Sequence, residues 1–205
     1  DVDVIPADGA FLIYDTHDLN QADGQIDCAE NITLSLDIKN VGNDPTSNVT
    51  VTLSSESEYV TISDATATIA SIAGNEVVSL NNEFAFSVAP NVPDQEKVEF
   101  KITCSDGNET WESTFKVTAN APVVNFKEFV FAGSYVPGES QTVMAKFENK
   151  GHYMATNAVV TASANDYITF ESDTFEVGTI DPSGIGTATF NVTVAASCPA
   201  TEALE

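Results

Sequence analysis

The sequence contains no arginine, seven lysines and two histidines, set against 31 carboxylates, for a net charge of −24 at pH 7. Phosphate backbones and anionic lipid headgroups are held by clustered Lys and Arg, so neither nucleic acid nor an anionic membrane surface suits this chain. His17 and His152 are too few for a multi-histidine metal centre and leave little choice of general base. Gly-x-Ser-x-Gly, Walker and dinucleotide-binding patterns are also missing, so an enzyme is not expected. No apolar run approaches the roughly 18 residues of a membrane helix, which argues against membrane insertion. Cys28, Cys104 and Cys198 are an odd number and make no disulfide framework. Cys28 precedes a strand and Cys104 ends one, toward opposite ends of a sandwich, so free thiols are expected.

A helical period is lacking as well. The patterned stretches are rich in Thr, Val, Ser and Phe and alternate with period two, which predicts an all-β chain. Strands are expected near Phe11–Asp15, Asn31–Lys39, Asn48–Ser55, Tyr59–Ile62, Ala67–Ile72, Val77–Val88, Val98–Cys104 and Glu109–Val117. Their spacing of about ten residues, with turn signals between them, predicts a β-sandwich.

The chain then repeats itself. Leu36-Asp37-Ile38-Lys39-Asn40-Val41-Gly42 returns as Ala145-Lys146-Phe147-Glu148-Asn149-Lys150-Gly151, and Asn48–Thr52 returns as Asn157–Thr161, at a shift of 109 positions. A repeat of that length is a domain. Two tandem Ig-like β-sandwich domains are therefore predicted, residues 1–121 and 122–205, joined at Pro122 without a Gly/Ser-rich spacer. Phe190–Val194 corresponds to Phe84–Val88, so the second domain lacks counterparts of the hairpin from Val98 to Val117. It reads as truncated before its last two strands, with an open face or strand edge that a second copy of the chain covers in a homodimer. Asp1 begins without signal-peptide character, as an excised mature fragment does, and Leu204-Glu205 resembles a cloning scar.

Locally, Ser105-Asp106-Gly107-Asn108 predicts a two-residue hairpin turn on Asp-Gly, pairing Ile102 with Trp111, Phe100 with Ser113 and Val98 with Phe115. Alternation with Phe115 and Val117 assigns Trp111 to the core. Asn40 with Gly42, and Asn149 with Gly151, read as strand-end turns in which Asn bonds its own backbone and Gly takes positive φ.

The segment Asp18–Glu30 is the best candidate for a ligand site. Asp18, Asn20, Asp23, Asp27 and Glu30 offer hard oxygen donors around Gly24, in partial accord with a calcium loop, and Ca²⁺ is the candidate ion. The competing reading is an acidic Asp23-Gly24 turn that leads into the strand from Asn31. The second domain has Val136-Pro137-Gly138-Glu139 at the equivalent place, keeping the glutamate without the aspartates. A structural role for Glu30 is favoured by that comparison.

The run Ala22–Leu34 continuing to Ile38-Lys39-Asn40-Val41-Gly42, together with Pro137-Gly138-Glu139 and Asn149-Lys150-Gly151, resembles a phrase of secreted Bacteroidetes proteins. It combines an acidic turn, a Pro-Gly-Glu strand entry, a strand and Lys-Asn-x-Gly. Such modules are Ig-like or fibronectin-like sandwiches that follow gingipain-type cysteine peptidases or occur in adhesins and glycan-degrading enzymes. The resemblance implies a secreted or cell-surface, non-catalytic accessory region that spaces or presents a neighbouring domain of its parent protein. The alternative is an adhesion module that binds host protein or glycan directly, through loop aromatics such as Tyr135, His152 and Tyr153. No cofactor beyond calcium is implied.

Overall fold

The computed structural model describes residues 8–133 and 136–199. The chain is all-β and divides after Asn120 into two compact units, each an Ig-like sandwich of mainly antiparallel strands. Among the described residues no helix is long and apolar enough to cross a membrane. Leu204-Glu205 and Tyr135 lie outside the described residues.

In the first unit one sheet has the order β1 (Leu12–Asp18), β3 (Asn31–Asn40), β7 (Val77–Val88), β5 (Val60–Asp64). The facing sheet runs β2 (Ile26–Asp27), β9 (Thr110–Asn120), β8 (Glu96–Ser105), β4 (Thr46–Ser54), β6 (Thr66–Ile72). Alternation decides what is buried. In β3, Ile32, Leu34, Leu36 and Ile38 point inward, and Phe84 and Phe86 of β7 lie beside them. Phe100 of β8 meets Phe86 from the opposite sheet with ring centroids 4.8 Å apart and stacks on Phe115 at 5.3 Å. Trp111 is buried as alternation requires.

The hairpin turn differs from its sequence reading. Cys104 faces Trp111, Ile102 faces Ser113, Phe100 faces Phe115 and Val98 faces Val117, two residues away from the predicted register. The reason is Asp106. Its Oδ1 accepts the N–H groups of Asn108 and Glu109 at 2.9 and 2.8 Å, stabilising a four-residue loop over Asp106–Glu109 in which Gly107 takes φ +89°. A slip of two preserves the pleat, so every in/out assignment survives. Glu112 lies diagonally across from Lys101 and pairs with it at 2.7 Å.

The second unit rebuilds the first sheet as β10 (Val124–Phe131), β11 (Ser140–Asn149), β15 (Ile185–Val194), β13 (Ile168–Phe170). Opposite it, among the described residues, stand β12 (Ala155–Thr161) and β14 (Thr174–Ile180), the counterparts of β4 and β6. Where the first unit places β8 and β9, the described residues of the second place no strand. Both units share finer devices. A bulge at Asp15 puts Tyr14 and His17 on one face of β1, and a bulge at Lys127 does the same for Phe126 and Phe129 in β10. Asn48 and Asn157 take φ of 56° and 53° at matching points, as do Ala29 and Gly138 at 61° and 86°.

Asn40 and Asn149 do more than end strands. Asn40 is fully buried; its Oδ1 accepts the N–H of Phe11 and of Gly42, both at 3.0 Å, while its Nδ2 donates to the Asp44 carbonyl at 2.8 Å. Asn149, equally buried, accepts from Val123 and Gly151 at 3.0 Å each and donates to the Tyr153 and Ile180 carbonyls at 2.8 and 3.0 Å. Gly42 and Gly151 are not in the left-handed region. They are glycines because the preceding segment passes too close: a Cβ would lie 2.1 Å from the Gly9 carbonyl oxygen in one unit and 2.1 Å from that of Ala121 in the other.

Candidate functional site

The acidic segment folds into two separate arrangements. Asp18 accepts the Asn20 N–H at 2.7 Å, and Asn20, at φ 52°, sends its Nδ2 to Asn82 Oδ1 at 2.6 Å and toward Thr33 and Ser35 at 3.3 Å. These two residues tie the end of β1 to β3 and the bend in β7. Asp23 accepts the Gln25 N–H at 3.1 Å and closes its own turn.

Asp27 and Glu30 belong to a different task, sealing the end of β9. Ile26 and Asp27 form a short parallel pairing with Ala119 and Asn120, an element the sequence reading missed. Asn120 is buried and donates to Gln25 Oε1 at 2.6 Å and Asp27 Oδ1 at 3.3 Å, while accepting from Gln95 Nε2 at 2.7 Å. The Cys28 N–H reaches the Asn120 carbonyl at 2.9 Å, and Glu30 accepts the Asp27 N–H at 3.0 Å. The five predicted oxygen donors are thus divided between turns and a strand lock. Among the described residues no three Asp, Glu, His or Cys side chains gather as a metal site requires.

Burial raises the Asp27 carboxyl above the ordinary carboxylate range, against the Asn120 bond that lowers it and with the Asp23 charge that raises it. Glu30 is raised too, first by burial, with the Asp27 N–H opposing and the charges of Asp27 and Asp23 adding. A carboxyl with a raised folded pKa binds its proton more tightly folded than unfolded. It therefore favours folding at acid pH and loses that contribution as pH rises through the folded value. Asp27→Asn keeps an oxygen for Asn120 and removes the buried charge. It is expected to raise the urea midpoint at about pH 7, the gain fading as pH approaches about 4. An equal shift at both pH values would count against this account.

Burial lowers the His17 pKa, with Asp18 opposing, so its imidazole is neutral at neutral pH. Its Nδ1 lies 2.6 Å from the Tyr14 hydroxyl, and both rings lie against Phe115, at 4.6 and 5.1 Å between centroids. The pair closes the core under the hairpin. All three cysteines are free thiols. Cys104 is buried and its pKa pushed up to about 11, which leaves the thiol protonated and unreactive at neutral pH. His152 is exposed and Tyr153 half-buried in the loop after Gly151.

An apolar hollow lies on the second unit. It measures about 570 Å³ and opens between the two sheets, lined by Phe126, Phe129, Phe131, Phe147, Phe190, Val192 and further small or apolar side chains, with no charged residue among them. Phe126, Phe129 and Phe131 are 51%, 50% and 55% exposed, far above the first unit's core rings. Their described ring contacts are with one another and with Phe147. The match of Phe190–Val194 to Phe84–Val88 was legible in the repeat; the bulge that turns both Phe126 and Phe129 toward the hollow was not.

No family model matches the chain, and no curated protein matches it. Among solved structures it is similar to a protein of unknown function from Porphyromonas gingivalis W83. That pair shares 14% identity with a TM-score of 0.28, covering 89% of this chain and 80% of that one. It is also similar to red sea bream transglutaminase, at 11% identity and a TM-score of 0.37, covering 90% of this chain and 27% of that one.

Proposed function

We propose that this chain is a non-catalytic accessory region of a secreted or cell-surface multidomain protein, spacing or presenting a neighbouring domain. The observation that supports this reading best is what the duplication retained. Asn40 with Gly42, and Asn149 with Gly151, repeat the same closing bonds around the same close backbone approach. The acidic turn from Asp18 to Asp27 has no counterpart in the second unit. Polar chemistry kept in both copies therefore serves the scaffold, and duplication of a scaffold lengthens it without needing a repeated site. The resemblance to accessory modules of secreted Bacteroidetes proteins points the same way. A charge of −24 suits a surface protein that remains soluble and avoids polyanions.

An array of glycans and matrix proteins probed with the full chain tests this. The expected result is no saturable binding. A glycan or matrix protein held at micromolar strength, and lost on replacing His152 or Tyr153, would establish the adhesion reading instead.

A further inference from the structure

Tyr14 and His17 hold the places in the first unit that Phe126 and Phe129 hold in the second. By strand pairing Tyr14 faces Ile38 and His17 faces Leu36, while Phe126 and Phe129 face Phe147 and Ala145, which lie 109 positions on from that β3 pair. The repeat thus keeps two rings at this point of its strand, and the first unit alone makes them polar and titratable. There the Tyr14 hydroxyl lies 2.6 Å from His17 Nδ1, both rings rest on Phe115 of β9, and the Tyr14 N–H reaches Ser113 Oγ at 3.2 Å. These contacts seat β1 on the opposite sheet. Within its own sheet β1 pairs on one side, with β3, among the described strands, and its ladder is interrupted at the bulge.

We propose that the Tyr14–His17 pair is a pH-sensitive catch, which seats β1 on β9 at neutral pH and releases it on acidification. With its hydrogen on Nε2, a neutral imidazole accepts the Tyr14 O–H at Nδ1. Protonation fills that nitrogen, so the hydroxyl must turn and a charge is left half-buried against Phe115. The surroundings offer little to hold it. Asp18, beside His17 in β1, is the charge that acts on it, and Asp15 acts on Tyr14. From β3 His17 meets Leu36, with Asp37 opposite Thr16 instead; from β9 it meets Phe115, while Glu112 and Lys116 pair with Lys101 and Glu99 on the wet face. Burial outweighs Asp18, so folding favours the neutral ring. That contribution is complete above the unfolded pKa of about 6.5 and is lost as pH falls through the lower folded value. An edge strand with an interrupted ladder yields before the strands that pair on both sides. Its release bares the β3 edge from Ser35 to Asn40 and the Phe115 ring.

Amide exchange and a proton NMR titration of the full chain test this, run beside His17→Phe, the residue that the second unit has at this place. In the parent protein His17 should titrate below about 6.5, its resonance being the one lost in His17→Phe. Protection of the Leu12–Asp18 amides, corrected for the intrinsic pH dependence of exchange, should fall several-fold between about pH 7 and about pH 5, while that of β8 and β9 is kept. In His17→Phe the fall should vanish. His17→Gln, which is neutral and keeps a hydrogen-bonding group for Tyr14, serves instead if circular dichroism finds the phenylalanine variant unfolded. The proposal is overturned if His17 titrates above about 6.5, if β1 protection is equal at both pH values, or if it falls as much in the variant. A fall spread evenly over the first unit also overturns it, because protonation then unfolds the unit rather than releasing one strand.

Discussion

Gly42→Ala is expected to lower the stability of the first unit by about 3 kcal/mol or more, seen as a fall in melting temperature of over about 10 °C. The added Cβ would lie 2.1 Å from the Gly9 carbonyl oxygen and 2.7 Å from the Phe11 nitrogen, and neither is the end of a flexible side chain. Relief requires the incoming segment to move away. That movement would break the bond from the Val41 N–H to the Phe11 carbonyl at 2.8 Å and the bond from the Phe11 N–H to Asn40 at 3.0 Å. A buried carboxamide would then lose a donor, and an unmade bond in the interior costs about 1–3 kcal/mol beyond the steric term. Gly151→Ala should do the same to the second unit, where the Cβ meets Ala121 and Val123. Gly133→Ala is the control, because nothing lies within 4 Å of its Cβ and its φ is not positive. Amide exchange resolves the effect by unit. Gly42→Ala protein that melts within about 2 °C of the parent would show that the close approach is not maintained in solution.

Phe100→Ala is expected to cost about 3–5 kcal/mol, whereas Phe129→Ala should cost about 1 kcal/mol or less. Phe100 is fully buried between Phe86 and Phe115, so its loss leaves a cavity as well as a transfer penalty. Phe129 is half exposed and borders open space, so truncation forfeits part of a ring's burial and creates no closed void. Urea unfolding at several protein concentrations measures both. A cost for Phe129→Ala that matches Phe100→Ala and grows with protein concentration would mean that the face is covered by association of the chain with itself.

The sequence by itself determined the all-β class, the tandem repeat and which residues of each strand point inward. Alternation is a local property, and a register slip of two at Asp106 leaves it intact. It also paired the second unit's last described strand with β7 of the first, because the alignment of Phe190–Val194 with Phe84–Val88 needs only residue order. Other features depend on groups brought together from distant parts of the chain. Asn40 and Gly42 read locally as a turn, yet their role comes from a segment about 30 residues earlier that passes against them. Asp27 and Glu30 carry ligand chemistry on paper, but Asn120, more than 90 residues away, makes them a strand lock. Phe126 and Phe129 are three apart and would alternate to opposite faces in a regular strand. The bulge at Lys127 turns both toward the hollow, because pairing with β11 is satisfied on either side of one extra residue.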